Sequence, residues 1–231
     1  MKKWLLASGL DFYKIVIIFV AGGFLGDVIE TVFCYLKFQK WMCRSSFVYL
    51  QISAVWGLAF VLASILACVI EDQSILTIFV VGVVLGSVFE YACSLVHEKV
   101  FGIRFWDYSK FKYNIAGRVN LQYSLGWGVA AVVWIKWIFP AVVTLLGRVP
   151  RKVLVPLGEG LLLLLVIDSM VSFVALKRYG ERVKGIEACD RIRVLIDKHF
   201  TDERMKRIYP HMKSTGQRAL MVVETAVREC S

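Results

Sequence analysis

The chain lacks the clusters on which most enzyme chemistry rests. Its three histidines, His97, His199 and His211, stand far apart, none beside a second ligand or a G-x-S-x-G turn. That removes the usual constellations of metal-dependent and serine hydrolases. The six cysteines, Cys34, Cys43, Cys68, Cys93, Cys189 and Cys230, are scattered with no C-x-x-C spacing. They read as small apolar packing residues rather than as a zinc site or a disulfide framework. No G-x4-G-K-[ST] phosphate loop occurs, so any ATP hydrolysis would belong to a separate chain. No metal and no cofactor is implied. His97-Glu98 is the one candidate for a membrane-embedded lipid enzyme, and it has no nucleophile beside it.

What the chain has in excess is apolar surface. Over 231 residues, 58% are hydrophobic and the mean hydropathy is +0.64, which places the chain in a lipid bilayer. Five runs reach the roughly 20 residues needed to cross a hydrocarbon core of about 30 Å: Ile15 to Leu36, Phe47 to Ile70, Ile75 to Val96, Leu121 to Pro140, and Val153 to Leu176. The fold class expected is all-α, a polytopic bundle of about five spans. Met1 to Leu6 imitates a signal-peptide start, but Asp11 and Lys14 interrupt the apolar part, so the first span reads as a retained anchor.

Two stretches sixty positions apart share a pattern, Gly22-x3-Gly26-x3-Glu30 and Gly82-x3-Gly86-x3-Glu90. On a helix these positions form one slowly drifting stripe, so the glycines admit a neighbouring backbone and the carboxylate ends where helices meet. Each copy continues alike, through a basic loop to an arginine (Arg44, Arg118) and then a Trp-Gly pair (Trp56-Gly57, Trp127-Gly128). We read this as a two-span internal repeat about an axis along the membrane normal, with Glu30 and Glu90 at similar depth and the arginines near enough to neutralise them. The competing reading has both glutamates snorkelling to the interface or pairing structurally with an arginine. Asp27, three residues before Glu30, shares its helix side, and two buried carboxylates there would share a proton or need a cation. Asp168, amid leucines and valines, costs roughly 2.5 to 3.5 kcal/mol on insertion scales and should face the bundle. It is either a third polar residue of the interior or a carboxyl bonded to nearby backbone.

Charge orients the bundle. The loop after span one carries Lys37, Lys40 and Arg44, and the next long loop carries Lys99, Arg104, Lys110, Lys112 and Arg118, whereas the loop between spans two and three holds only Glu71 and Asp72. The positive-inside bias predicts an outside N-terminus and a cytoplasmic C-terminus, against the votes of Lys2, Lys3, Arg148, Arg151 and Lys152. The aromatic and basic loop from His97 to Gly117, with Trp106 and Tyr108, suits the headgroup layer better than nucleic acid. Trp134 and Trp137 flank Lys136 at the outer interface, and Pro140 is expected to end span four. The composition divides the chain into a transmembrane domain, 1–176, and a charged amphipathic helical tail, 177–231. In the tail Thr201 with Asp202 and Glu203 reads as a helix start. Ile186, Ile192, Leu195, Ile196 and Phe200, and then Ala219, Leu220, Val223 and Val227, need a partner surface.

The runs Phe101-Gly-Ile-Arg-Phe-Trp-Asp-Tyr-Ser109, Asn114-Ile-Ala-Gly-Arg-Val-Asn-Leu121 and Ser124-Leu-Gly-Trp-Gly128, with Gly22 to Thr31 and Asp168 with Ser172, resemble the bacterial family of ABC-transporter type IV, or CmpB-like, permeases. The resemblance covers roughly residues 15 to 178. It departs at Arg44-Ser-Ser-Phe-Val-Tyr-Leu-Gln51 and Ala54-Val-Trp-Gly57, where the family carries Arg-Gly-Phe-Leu-Tyr-Gly-Pro and then Pro-Ile-Tyr-Gly. The resemblance implies a permease-like membrane subunit working with a separate ATPase. The alternatives are a non-transporting scaffold, sensor or accessory protein presenting its tail to a cytoplasmic partner, or, third, the lipid enzyme. Five spans make a small conduit, so a homodimer is expected.

Overall fold

The computed structural model describes residues 10–39, 41, 45–209 and 213–214. The helices are α1 (Phe12–Phe38), α2 (Ala54–Ile70), α3 (Ile75–Phe101), α4 (Leu121–Val133), α5 (Phe139–Gly147), α6 (Arg151–Val183), α7 (Arg191–His199) and α8 (Asp202–Ile208). A π-helical turn, Trp134–Ile138, joins α4 to α5. Among the described residues strand is confined to two short ladders, β1 (Ile103–Arg104) with β4 (Lys213–Ser214) and β2 (Asn114–Ile115) with β3 (Val119–Asn120). The chain is thus all-α, as expected. Among the described residues four helical stretches are long and apolar enough to cross a membrane, Phe12–Leu36, Ile75–Phe101, Leu121–Gly147 and Arg151–Val183, with the shorter apolar Ala54–Ile70 beside them.

Helix starts obey local polar chemistry. Asp11, Ser53, Ser74, Asn120 and Thr201 each accept a bond from a first-turn amide of the helix they precede, meeting donors that would otherwise stay unpaired. Asp11, which interrupts the apolar start, is therefore the cap of α1.

α1 packs along α2 and α3 along α4, while α6 lies against α1 and α3. Glycine makes both close approaches possible. A Cβ on Gly26 would run into the Trp56 ring, and one on Gly86 would lie 2.5 Å from Trp127 Cβ. One turn earlier an added Cβ would lie 2.6 Å from Phe60 at Gly22 and 2.5 Å from Ala131 Cβ at Gly82, and in return Gly57 meets Phe19 and Gly128 meets Phe79.

Two expectations need correction. The apolar run from Phe47 is not helical until Ala54, and residues 45–53 form an irregular segment packed inside the bundle. There Phe47 and Ile52 share a buried cluster with Val16 of α1 and Leu165 of α6. The Ser45 hydroxyl holds the segment's turns, 2.6 Å from Leu50 O and 3.0 Å from Phe47 O. Non-helical backbone survives among apolar helices only when its polar groups find such partners. The second correction concerns Pro140, which does not end its helix. The π turn ahead of it absorbs the missing amide, Phe139 N–H bonding Trp134 O, and helix continues to Gly147.

The change of composition at Lys177 falls inside α6, which runs unbroken to Val183. Past it, Phe200, Met205 and Tyr209 fold back into a buried cluster with Ala175, Leu176 and Tyr179, lined by Val48, Phe101 and Phe105. The bundle's own base is thus the partner surface for this part of the tail. Ala219, Leu220, Val223 and Val227 lie outside the described residues.

Candidate functional site

The stripe of α1 brings Glu30 beneath Trp56 of α2, whose indole N–H donates to Glu30 Oε2 at 3.1 Å. The stripe of α3 does the same with Trp127 of α4, whose indole donates to Glu90 Oε2 at 3.2 Å. The two indole rings meet, centroids 5.3 Å apart. A continuous path therefore runs from Glu30 through two touching indoles to Glu90, joining one helix pair to the other. Glu30 is half-buried, and Glu90 is only 6% exposed. Asp27 is buried as well. At the corresponding place in α3, Ser87 donates to the Ser124 hydroxyl at 2.7 Å.

Tyr108 completes the Glu90 end, its hydroxyl donating to Glu90 Oε1 at 2.9 Å. Burial first, and then the adjacent carboxylate, push the Tyr108 phenol above its ordinary range, so it remains a neutral donor. The ring stacks on Tyr123 at 4.7 Å. Placed by sequence at the headgroup layer, Tyr108 instead turns inward over the glutamate. Trp106 also turns in, donating to Arg118 O at 2.9 Å. The exposed part of this loop is Ser109 to Tyr113 with Ile115 and Ala116.

Arg118 is buried but does not pair with Glu90. It bonds Ser94 Oγ at 3.0 Å and forms its ion pair with Glu98, its guanidinium lying over the Tyr91 ring. Arg104 reaches the same Glu98 at 2.7 Å. Glu98 stands two helical turns beyond Glu90, so the arginine anchors the 102–120 connection to the end of α3 rather than neutralising the glutamate centre. Arg44 lies outside the described residues.

Asp168, 4% exposed, is a separate locus. Its Oδ2 accepts the amides of Leu50 at 2.6 Å and Tyr49 at 3.1 Å, and its Oδ1 accepts the Ser172 hydroxyl at 3.1 Å. Ser172 Oγ in turn accepts Val48 N–H at 2.9 Å. Of the two readings open from sequence, the carboxyl bonded to backbone describes its surroundings. It cradles the irregular segment, with donors on both of its oxygens. The tail touches that segment from outside: Tyr209 O–H donates to Ser46 O at 3.1 Å, and the Arg204 guanidinium sits 5.6 Å from the Tyr49 ring.

Sequence reasoning missed Tyr108 and Glu98 as partners of the predicted residues, and it saw the tryptophans only as landmarks. The Trp-Gly pairs were the available signal: a tryptophan whose neighbour is glycine can pack backbone-close and still aim its N–H along the partner helix. Trp134 is 6% exposed and donates to Ser64 Oγ at 3.1 Å, so it belongs to the core, because Ser64 offers its N–H a partner that an interface would supply as water. Trp137 is exposed. Between these two, Lys136 reaches the carbonyls of Glu71 at 2.6 Å and Gln73 at 2.9 Å, tying off the end of α2.

A family model described as Putative ABC-transporter type IV matches residues 17–173, well over half of the chain, and the chain belongs to that family. The match takes in both helix pairs, the glutamate centre and the Asp168 cradle. No curated protein and no solved structure is detectably similar.

Proposed function

We propose, with membership of that family as the premise, that the chain is a permease-like membrane subunit whose working site is the Glu30–Trp56–Trp127–Glu90 centre. One observation carries the reading. Each glutamate is bonded by the indole of its own pair, and those indoles touch at 5.3 Å. Carboxylates are costly inside a bilayer and concentrate where ions or substrates pass. Two of them bridged across a helix-pair interface suit uptake and release of a proton or a cationic cargo.

The matched glycine and tryptophan contacts of the two pairs support reading them as a duplicated two-span unit, one copy beside the other in the same orientation. In this reading Asp27 flanks the centre, Asp168 holds the 45–53 segment beside the first pair, and Arg118 anchors the 102–120 connection beside the second. The basic loops and tail favour a cytoplasmic C-terminus and an outside N-terminus. They also favour a separate ATPase docking on that side, and the small number of spans favours a homodimer completing the conduit. In this reading 1–176 is the membrane domain and 177–231 the cytoplasmic tail.

Flux in proteoliposomes tests the site. With a pH gradient imposed, Glu30→Gln and Glu90→Gln should each abolish proton or cation movement while leaving reconstitution intact. Flux unchanged by both substitutions would remove the glutamate centre as the working site, and no flux through the parent protein would leave the chain as a non-transporting scaffold or accessory protein.

A further inference from the structure

The end of α6 fixes the height of α7 relative to the bilayer. From Val153 to Leu176 helix α6 carries no basic residue, and at about 1.5 Å per residue this stretch spans the roughly 30 Å hydrocarbon core. Beyond it, Arg178 grips Asp197 of α7 at 2.8 and 2.9 Å, and Arg193 of α7 lies 3.8 Å from Glu181. Asp197 is shared by Arg178 and Arg182, about one turn apart on α6, so α7 lies across the first turns of α6 beyond its apolar stretch. Phe200 then arrives among Ala175 and Leu176. Ion pairs thus hold α7 within about 10 Å of the last apolar turn of α6, in or just above the headgroup layer.

Charge is sorted across this helix. The acids Glu181, Asp197 and Asp202 are turned onto Arg178 and Arg182, and the two arginines hold Asp197 well below the ordinary carboxylate range. The bases Lys177, Lys184, Arg191 and Lys198 point outward. The exposed acids Glu187 and Asp190 precede the first turn of α7. Between the outward bases stand Ile192, 72% exposed, Leu195, 67% exposed, and Val194.

We infer that the outward face of α7 is a membrane-surface contact that takes anionic phospholipid headgroups. At this height lysine and arginine meet phosphate while isoleucine and leucine meet the acyl boundary, the pairing by which interfacial helices hold to lipid. The ion pairs to α6 hold the helix in position, and lipid charge supplies the affinity.

The test uses the full-length protein, one copy per nanodisc, in phosphatidylcholine alone or mixed with phosphatidylglycerol. Amide exchange across residues 191–196 should slow on the order of tenfold in the anionic discs, since each base near an anionic surface contributes to binding. The double variant Arg191→Glu with Lys198→Glu should erase that difference while helix content stays the same. Equal exchange of the unmodified protein in both discs would overturn the inference. Protection seen only in discs holding two copies would also overturn it, by giving the face to a second chain.

Discussion

In the first helix pair Glu30 is half-buried and bonded by the Trp56 indole, whereas in the second Glu90 is buried and takes bonds from both Trp127 and Tyr108. The helices themselves are closely matched, so the difference comes from the connections. Residues 102–120 are anchored by their own pair, through Arg104 and Arg118 on Glu98, and they send Tyr108 down onto Glu90. Residues 45–53 instead enter the bundle and depend on another helix, with Asp168 and Ser172 of α6 meeting their amides and Tyr209 touching them from the tail. The second pair closes over its own carboxylate. The first is closed by α6 and the tail, which also meet the second connection, at Phe105 and along the β1–β4 ladder.

The largest effect should come from removing the cradle. Asp168→Leu leaves the Tyr49 and Leu50 amides without their acceptor, a cost of about 3 kcal/mol at 1 to 3 kcal/mol for each buried unpaired group. Denaturation in detergent should show the loss, and amide exchange should rise at residues 48–50 while 114–120 stay protected. Equal opening of both connections would break the distinction between borrowed and self-contained closure.

Next are the close approaches. Gly26→Ala and Gly86→Ala each push a methyl into a tryptophan, and overpacking of that kind costs about 1 to 3 kcal/mol. Gly126→Ala, with nothing within 4 Å of its added carbon, should stay within about 0.5 kcal/mol of the parent protein. Thermal unfolding of the three variants decides whether the pairs are held alike, and a tolerant Gly86 beside an intolerant Gly26 would show that they are not.

The smallest effect sharpens the comparison most. Tyr108→Phe removes one hydrogen bond from Glu90, worth about 1 kcal/mol, and leaves in place the Trp127 bond, the counterpart of Trp56 on Glu30. Carbodiimide labelling of Glu90, read by mass spectrometry, should rise toward that of Glu30. Unchanged labelling would assign the difference between the two glutamates to burial and Trp127 alone.

The candidate site was legible in sequence as far as its carboxylates and no further. Glu30 and Glu90 stood out because each ended a glycine stripe, a local pattern that one helix is enough to display. Glu98 could not be assigned to Arg118, nor Tyr108 to Glu90, because those partners meet only when a long connection folds back on α3. Asp168 was marked by its cost among leucines and valines, yet sequence left open what it would bond. Pro140 misled because a π turn can absorb a missing amide without any sign in composition.

Apolar run length and helical period determined the membrane-spanning all-α class, since a bilayer permits few other ways to satisfy so much backbone in so apolar a chain. Stripe spacing likewise picked out the glutamate-bearing helices. Tertiary structure alone decided that the two indoles touch, that Arg118 serves the 102–120 connection rather than the centre, and that an aspartate of α6 supports a segment more than a hundred residues away. Each of those is a contact between elements distant along the chain, and no local propensity encodes the direction in which a side chain will find its partner.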